Sequence, residues 1–388
     1  MLALRRSFVV TVLGFVAFVT SFGAHVVVVN LPVYAKQVGV GLMAIGLLIA
    51  VYDFAEIFAK PVFGWIADRR GIKTTMLVGI AFFSLASLSY LFVSPRLLIL
   101  VRSLQGLGAA ALSITSAALV AEYFVEDRGK AFGIYNSLKG AGYVLGPIIG
   151  GVIAWKSSFA AIFLASSAAG ALAFLVSLLL PPTATKRRLE DDDDFSSKFF
   201  GAALRERNLL RWYVVIVVNM FMIGILFGFL PVYVNSLGYD QLKNGFMVAA
   251  STTSYLLIQP VAGLLADRFG PTQVTFAGLG VSAIAITLVP FTTGALLLSA
   301  AILGGVGVGT VWTNTDAAVS NLAKEGGIAA TLGVAGSFKE LGDMLGPLAI
   351  GFLSQSFGLR VGFVACGALG LGAIALLRFA RPGAAGLA

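Results

Sequence analysis

The sequence predicts an all-α membrane protein: twelve transmembrane helices in two pseudo-symmetric six-helix bundles. Three observations predict it. Hydrophobic residues fill 58% of the 388 positions and charged residues only 12%, about half the charged share of a soluble domain. The apolar stretches run for about 20–25 residues, the length an α-helix needs to cross a bilayer. Finally, the chain is written twice. Leu31-Pro32-Val33-Tyr34 recurs 199 positions later as Leu230-Pro231-Val232-Tyr233. At the same offset Gly39, Gly46 and Pro61 fall on Gly238, Gly245 and Pro260, and Gly64, Ala67-Asp68-Arg69 and Gly71 fall on Gly263, Ala266-Asp267-Arg268 and Gly270. Gly106 and Gly108 match Gly305 and Gly307. One residue is then inserted, and Lys139, Gly142, Gly146-Pro147 and Gly151 match Lys339, Gly342, Gly346-Pro347 and Gly351.

In the first half the spans fall at roughly 8–34, 41–66, 73–93, 96–121, 130–154 and 158–180. In the second half they fall at roughly 210–235, 242–266, 272–291, 294–321, 328–353 and 359–380. Such unbroken apolar runs exclude the alternating pattern of barrel strands. The first span follows Arg5-Arg6 as a signal sequence would. It is too long for a signal's apolar core and has no clear small-residue cleavage site, so it is read as helix 1. Between spans 2 and 3, Gly71 suits a tight turn, because positive φ is costly for other residues. Asp68 lies near the start of the next helix and suits its positive end. Arg69, Arg70 and Lys73 are expected to hold this loop at the headgroups. In span 5 the glycines allow close helix approach, and Pro147 removes a backbone donor and can bend the helix.

The domain division follows: a bundle over 1–180, a cytoplasmic linker over 181–208 and a second bundle over 209–388. The linker carries Lys186-Arg187-Arg188 and an acidic run from Glu190 to Asp194. It is read as a solvated connection, with a surface helix on the inner leaflet as the alternative for 195–207. With the N-terminus inside, 18 of the 27 Lys and Arg residues lie in cytoplasmic loops and tails, so both termini are expected in the cytoplasm of a cell (inner) membrane protein. The net charge of +9 is then a topological signal and not a nucleic-acid footprint. The single cysteine, Cys366, excludes an internal disulfide or cysteine metal cluster. No phosphate-binding Gly-x-x-x-x-Gly-Lys-Ser/Thr pattern occurs, and no cofactor or enzymatic activity is expected. In a membrane protein, two homologous halves suggest a transporter with its site between them.

The motifs carry a family resemblance. Gly64-Trp65-Ile66-Ala67-Asp68-Arg69-Arg70-Gly71-Ile72-Lys73 resembles the helix 2–3 loop motif of the major facilitator superfamily, with a second copy from Gly263 through Asp267 and Arg268 to Gly270. Two departures occur: Ile72 stands where the family usually has a basic residue, and Pro271-Thr272 stands at the second copy's basic pair. Arg102-Ser103-Leu104-Gln105-Gly106-Leu107-Gly108 resembles the family's helix-4 motif. Gly142, Gly146-Pro147 and Gly150-Gly151 in helix 5 resemble the antiporter motif of the twelve-helix drug:proton antiporters. The resemblance implies a gating role for Gly64, Asp68, Arg69, Gly71, Lys73, Gly142, Gly146, Pro147, Gly151, Asp267 and Arg268. The bland readings are a topogenic turn and simple close packing.

Ionisable residues inside the spans suggest function by their cost. Asp53, Glu56 and Lys60 share one face of helix 2, and Lys339, Glu340 and Asp343 cluster in helix 11. One reading makes them a mechanical gate of salt bridges. The other gives proton coupling to Asp53, Glu56, Glu340 or Asp343, with Arg102 biasing a neighbouring acid. Arg102 otherwise snorkels to the outer surface. Lys139 and Lys339 are repeat-related and either has a pseudo-symmetric role or neutralises an acid. His25, the only histidine, is either a proton switch or a residue hydrogen-bonded to a neighbouring helix. By resemblance helices 1, 4, 7 and 10 line the cavity, offering His25, Asn30, Tyr34, Gln105, Asn219, Phe227, Tyr233, Trp312, Asn314 and Asp316. This aromatic and amide-rich set suits an amphipathic organic molecule.

The expected function is therefore proton-coupled efflux of amphipathic drugs or small organic metabolites by alternating access. A facilitator or proton symporter for a sugar or organic acid, and a ligand-sensing transporter homologue, are the alternatives. Expected partners are a small-molecule substrate, protons and the lipid bilayer, with no nucleic acid and the monomer as functional unit.

Overall fold

The structure, a computed structural model, describes residues 2–124, 128–181, 206–322 and 328–379. Among them twelve long helices and no strand occur. The first six are α1 (Leu2–Gln37), α2 (Leu42–Arg70), α3 (Ile72–Ser89), α4 (Leu98–Tyr123), α5 (Arg128–Lys156) and α6 (Phe159–Ser177). Helix α7 is continuous over 207–236 in three pieces: Arg207–Gly224, a π-turn at Ile225–Phe229, and Leu230–Ser236. The π-turn precedes Pro231, which has no N–H to offer the carbonyl one turn back. The rest are α8 (Gln241–Phe269), α9 (Pro271–Leu288), α10 (Gly294–Leu322), α11 (Ile328–Phe357) and α12 (Leu359–Phe379).

Ten of these helices are long and apolar enough to cross a membrane. The other two are α11, which carries Lys339, Glu340 and Asp343, and α12, whose apolar part is the shorter Leu359–Ala375. The turn signals act as the sequence implied. Gly71 takes φ +97° between α2 and α3, and its repeat partner Gly270 takes φ +87° between α8 and α9. A side chain is strained in that region.

The chain forms two compact units. The first comprises Met1–Arg188 and Phe227–Ala249, the second Leu189–Leu226 and Ala250–Ala388. Residues Phe227–Ala249, which belong to the second sequence repeat, thus pack with the first unit. In that unit α1 packs on α5 and α6, while α4 packs on α2 and α3. In the second unit the first piece of α7 packs on α11, α10 and α12, and α9 packs on α10 and α12.

Glycine sets the closest crossings, and the two repeats use the same positions. A Cβ on Gly108 would lie 2.9 Å from the Gly79 carbonyl oxygen, and one on Gly307 would lie 2.7 Å from that of Gly278. A Cβ on Gly142 would lie 2.6 Å from the Phe18 carbonyl oxygen, and one on Gly342 would lie 3.1 Å from the Val217 Cα. Val217 is the repeat counterpart of Phe18, so the repeat is one of packing as well as of letters. The backbones approach where no side chain intervenes, as in membrane helices generally.

Apolar side chains also face outward. On α2, Phe58 is 64% exposed, flanked by Phe54, Val62 and Trp65; on α8 the repeat-related Leu257, Val261 and Leu264 do the same. A soluble protein rarely carries such stripes, whereas hydrocarbon solvates them.

Candidate functional site

A buried polar network joins α1, α3, α4 and α6 in the first unit. Arg102 is 3% exposed. It does not snorkel: its Nη1 donates to Gln105 Oε1 at 2.6 Å, and its guanidinium lies 4.1 Å from the Tyr52 ring centroid. Gln105 also accepts from the Tyr90 hydroxyl at 3.2 Å and donates through Nε2 to Ser87 Oγ at 3.0 Å. Ser87 donates to the Phe83 carbonyl, and Ser166 Oγ stands 3.1 Å from Ser87 while donating to the Gly23 carbonyl at 2.8 Å. An amide sealed from water needs this satisfaction, because each unmet polar group costs about 1–3 kcal/mol. Gln105 therefore fixes Arg102 within the bundle.

A second cluster lies where α5 meets α1. His25 Nδ1 is 2.9 Å from the Ser21 carbonyl oxygen of its own helix, not of a neighbouring one. Across the gap its ring centroid is 4.3 Å from that of Tyr143. Gly146 makes this possible, since a Cβ there would lie 2.7 Å from the His25 Cβ. Lys139 sits one turn before Tyr143, hydrogen-bonds to it and lies 5.8 Å from its ring centroid. No ion pair of Lys139 occurs among the described residues, so it does not neutralise an acid at contact distance. Asn30 spends its amide on the Val26 carbonyl at 2.8 Å. Tyr34 packs against Phe159 and Phe163 of α6, at 5.5 Å from each ring.

On α2 the i, i+4 pair Glu56–Lys60 closes at 3.0 Å. Asp53 lies one turn before Glu56 and is half-buried. In the loop after α2, Arg69 lies 4.1 Å above the Trp65 ring. Lys73 bonds to the protein itself. Its ammonium donates to the Leu178 carbonyl at 2.9 Å and to the Leu180 carbonyl, where it meets the exposed C-terminal acceptors of α6. The Tyr123 hydroxyl donates to the Pro181 carbonyl at 2.6 Å in the same place. Asp68 occupies the last turn of α2; its side chain lies outside the described residues, as does that of Asp316 in α10. A Cβ on Gly64 would meet nothing within 4 Å. Asp267 and Arg268 are exposed at the end of α8.

The C-terminal glycines of the antiporter-like motif face a different partner. A Cβ on Gly151 would lie 2.7 Å from the Gln241 carbonyl oxygen, and the Pro147 carbonyl abuts Gly245. All these residues belong to the first unit.

In the second unit, Lys339 lies 4.2 Å from the Trp312 ring centroid, and Tyr255 meets Trp312 edge-on at 6.0 Å. Asn219 donates to the Val308 carbonyl at 3.2 Å, tying α7 to α10. Asn314 bonds to the Thr310 carbonyl of its own helix at 2.7 Å. Glu340 and Asp343 are half-buried on α11. Phe227 lies in the π-turn and Tyr233 is buried in the last piece of α7, both within the first unit.

The sequence reading missed Tyr52, Ser87, Tyr90, Tyr143 and Ser166. Tyr143 was findable, four residues from an intramembrane lysine. The serines carry no signal of their own, since hydroxyls also bond along their own helix.

These features define a multi-pass membrane transporter. The family model for the major facilitator superfamily matches residues 13–253 and 241–387, and the chain belongs to that family. An uncharacterised MFS-type transporter of Methanocaldococcus jannaschii is 24% identical over 96% of this chain and 98% of its own length. The quinolone resistance protein NorA of Staphylococcus aureus is 30% identical over 43% of each chain; the match therefore spans less than half of that relative. Among solved structures, a mutant of the nucleoside transporter NupG superimposes with a TM-score of 0.87 at 13% identity, over 96% of this chain and all of the other. That likeness is one of fold. Family and fold make the chain a transporter of small molecules and not an enzyme.

Proposed function

We propose that the protein exports amphipathic small molecules in exchange for protons, by alternating access between its halves. The observation that carries this reading is the glycine face of α5. Gly142 and Gly146 press on α1, and Gly151 presses on Gln241 and Gly245. The result is a close-packed contact at the residues that resemble the antiporter motif. Such a contact blocks a leak path while one gate is open, which exchange against a gradient requires. The similarity to NorA supports the same class of cargo.

In this reading the helix bundles are 1–180 and 209–388, joined by a cytoplasmic linker over 181–208. Both termini lie in the cytoplasm, and the monomer works in the cell membrane without nucleic acid or cofactor. At least one of the α2 carboxylates Asp53 and Glu56 and the α11 carboxylates Glu340 and Asp343 carries the proton. The loop at Asp68 to Lys73 and its copy at Asp267–Arg268 form the latch.

The test is transport in proteoliposomes holding an amphipathic dye, with and without an imposed pH gradient. Dye movement that follows the reversal of the gradient supports antiport. Movement down the dye gradient alone would make the protein a facilitator, and dye and protons moving together would make it a symporter. Binding without movement would make it a sensor.

A further inference from the structure

In the first unit Arg102 is buried and Lys139 half-buried, and neither makes an ion pair among the described residues. Arg102 spends its charge on the neutral Gln105 and the face of Tyr52. Lys139, half-buried, engages Tyr143 through a hydrogen bond and its ring. Both act electrostatically on His25, so the two charges share one region of the unit. Glu56 reaches Lys139 through space, but Lys60 holds it at 3.0 Å. Asp53, the other α2 carboxylate, lies one turn before Glu56.

An unpaired cation among apolar helices is costly. Tyrosine faces recover part of that cost through cation–π attraction, yet they leave the charge in place. The backbone aims the charge with care. Gly142 and Gly146 bring α5 against α1, which fixes Tyr143 on His25 and sets Lys139 one turn away. A structural lysine sits beside an acid, as Lys60 does, or caps backbone carbonyls, as Lys73 does; Lys139 does neither among the described residues. The chemistry that completes this site is an anion arriving with the cargo.

We propose that Lys139 anchors an acidic group, a carboxylate or sulfonate, on the transported molecule. Arg102 adds to the positive field, and the rings of Tyr143 and Tyr52 cover the adjoining apolar body. The inference rests on the export reading above and narrows its cargo to amphipathic organic anions. An ammonium or guanidinium cargo would be repelled at this place.

Two xanthene dyes of similar size and opposite charge provide the test: fluorescein, ionised at mildly alkaline pH, and the cation tetramethylrosamine. Equilibrium binding is read by fluorescence polarisation on the full chain in lipid nanodiscs, with no pH gradient. Fluorescein is expected to bind at least about tenfold tighter than tetramethylrosamine. Lys139→Gln should weaken fluorescein by about tenfold or more, as loss of one partner of a desolvated charge pair does. The same variant should leave tetramethylrosamine unchanged or tighter, and Lys139→Arg should retain fluorescein. Absent fluorescein binding, equal binding of the two dyes, a preference for the cation, or an unchanged fluorescein affinity in Lys139→Gln would each overturn the proposal. The dye comparison on the wild type decides even where a variant fails to fold. Because no gradient is used, failure here leaves proton coupling standing, and loss of coupling leaves this charge preference standing.

Discussion

Gly151 and Gly245 meet backbone to backbone. A Cβ on Gly151 would lie 3.1 Å from the Gly245 Cα, and one on Gly245 would lie 3.0 Å from the Gly151 Cα. Contact this close has no room for a methyl group on either side. Gly151→Ala is therefore expected to cost about 1–3 kcal/mol, the usual range for overpacking, and to lower transport. Gly133, on the same helix, is the control, because a Cβ there would meet nothing within 4 Å. Gly133→Ala should be neutral or stabilising by about 0.5–1 kcal/mol. Thermal unfolding of both variants in detergent checks the pair. Equal melting temperatures would remove the steric argument.

Lys73 closes the C-terminal end of α6 through the carbonyls of Leu178 and Leu180. Lys73→Met should destabilise that end by about 1–2 kcal/mol, the worth of a charged hydrogen bond at a helix C-terminus. Hydrogen exchange at 177–180 should quicken while exchange in the middle of α6 stays as it was. Lys73→Arg should preserve protection. Uniform protection in Lys73→Met would show that the cap contributes nothing.

Asp68→Asn should impair transport with expression largely intact. The expectation comes from the match of Gly64, Asp68, Arg69 and Gly71 to the superfamily loop. Gly71 is held to a turn that only glycine adopts without strain, at φ +97°. Transport rates normalised to protein in the membrane provide the measurement. A well-expressed Asp68→Asn with wild-type rates would reduce the loop to a turn with topogenic charges.

Neutralising an essential carboxylate should abolish the response to a pH gradient. Asp53→Asn, Glu56→Gln, Glu340→Gln and Asp343→Asn are tested one at a time in proteoliposomes, with dye binding as the second readout. Binding is expected to survive in at least one variant that loses gradient-driven transport, since binding and coupling need not use the same group. Glu56→Gln also breaks the 3.0 Å pair with Lys60, so Lys60→Met is its control. Gradient-driven transport in all four variants would make these residues structural ion pairs and move the search to His25 and Asp316.

The sequence by itself determined the helices, the repeat and the family. Twenty-residue apolar runs leave a bilayer-spanning helix as the economical way to satisfy the backbone, and the glycine and proline register fixes where helices turn and where they touch. The turn glycine Gly71 with its copy Gly270, and the repeat pair Gly108 and Gly307, were legible as letters; that the latter pair marks helix crossings came from the structure. The tertiary structure decided which groups meet. Helical periodicity puts Arg102 and Gln105 on one helix face, but only the packing of α3 and α6 supplied Ser87 and Ser166 to hold Gln105. His25 and Lys73 read equally well as several things. The approach of α5 at Gly146 set the first against Tyr143, and the end of α6 claimed the second. A side chain's partner depends on the rotation of the neighbouring helix about its own axis. That angle is set by many small contacts summed along two helices, and no local stretch of sequence contains it.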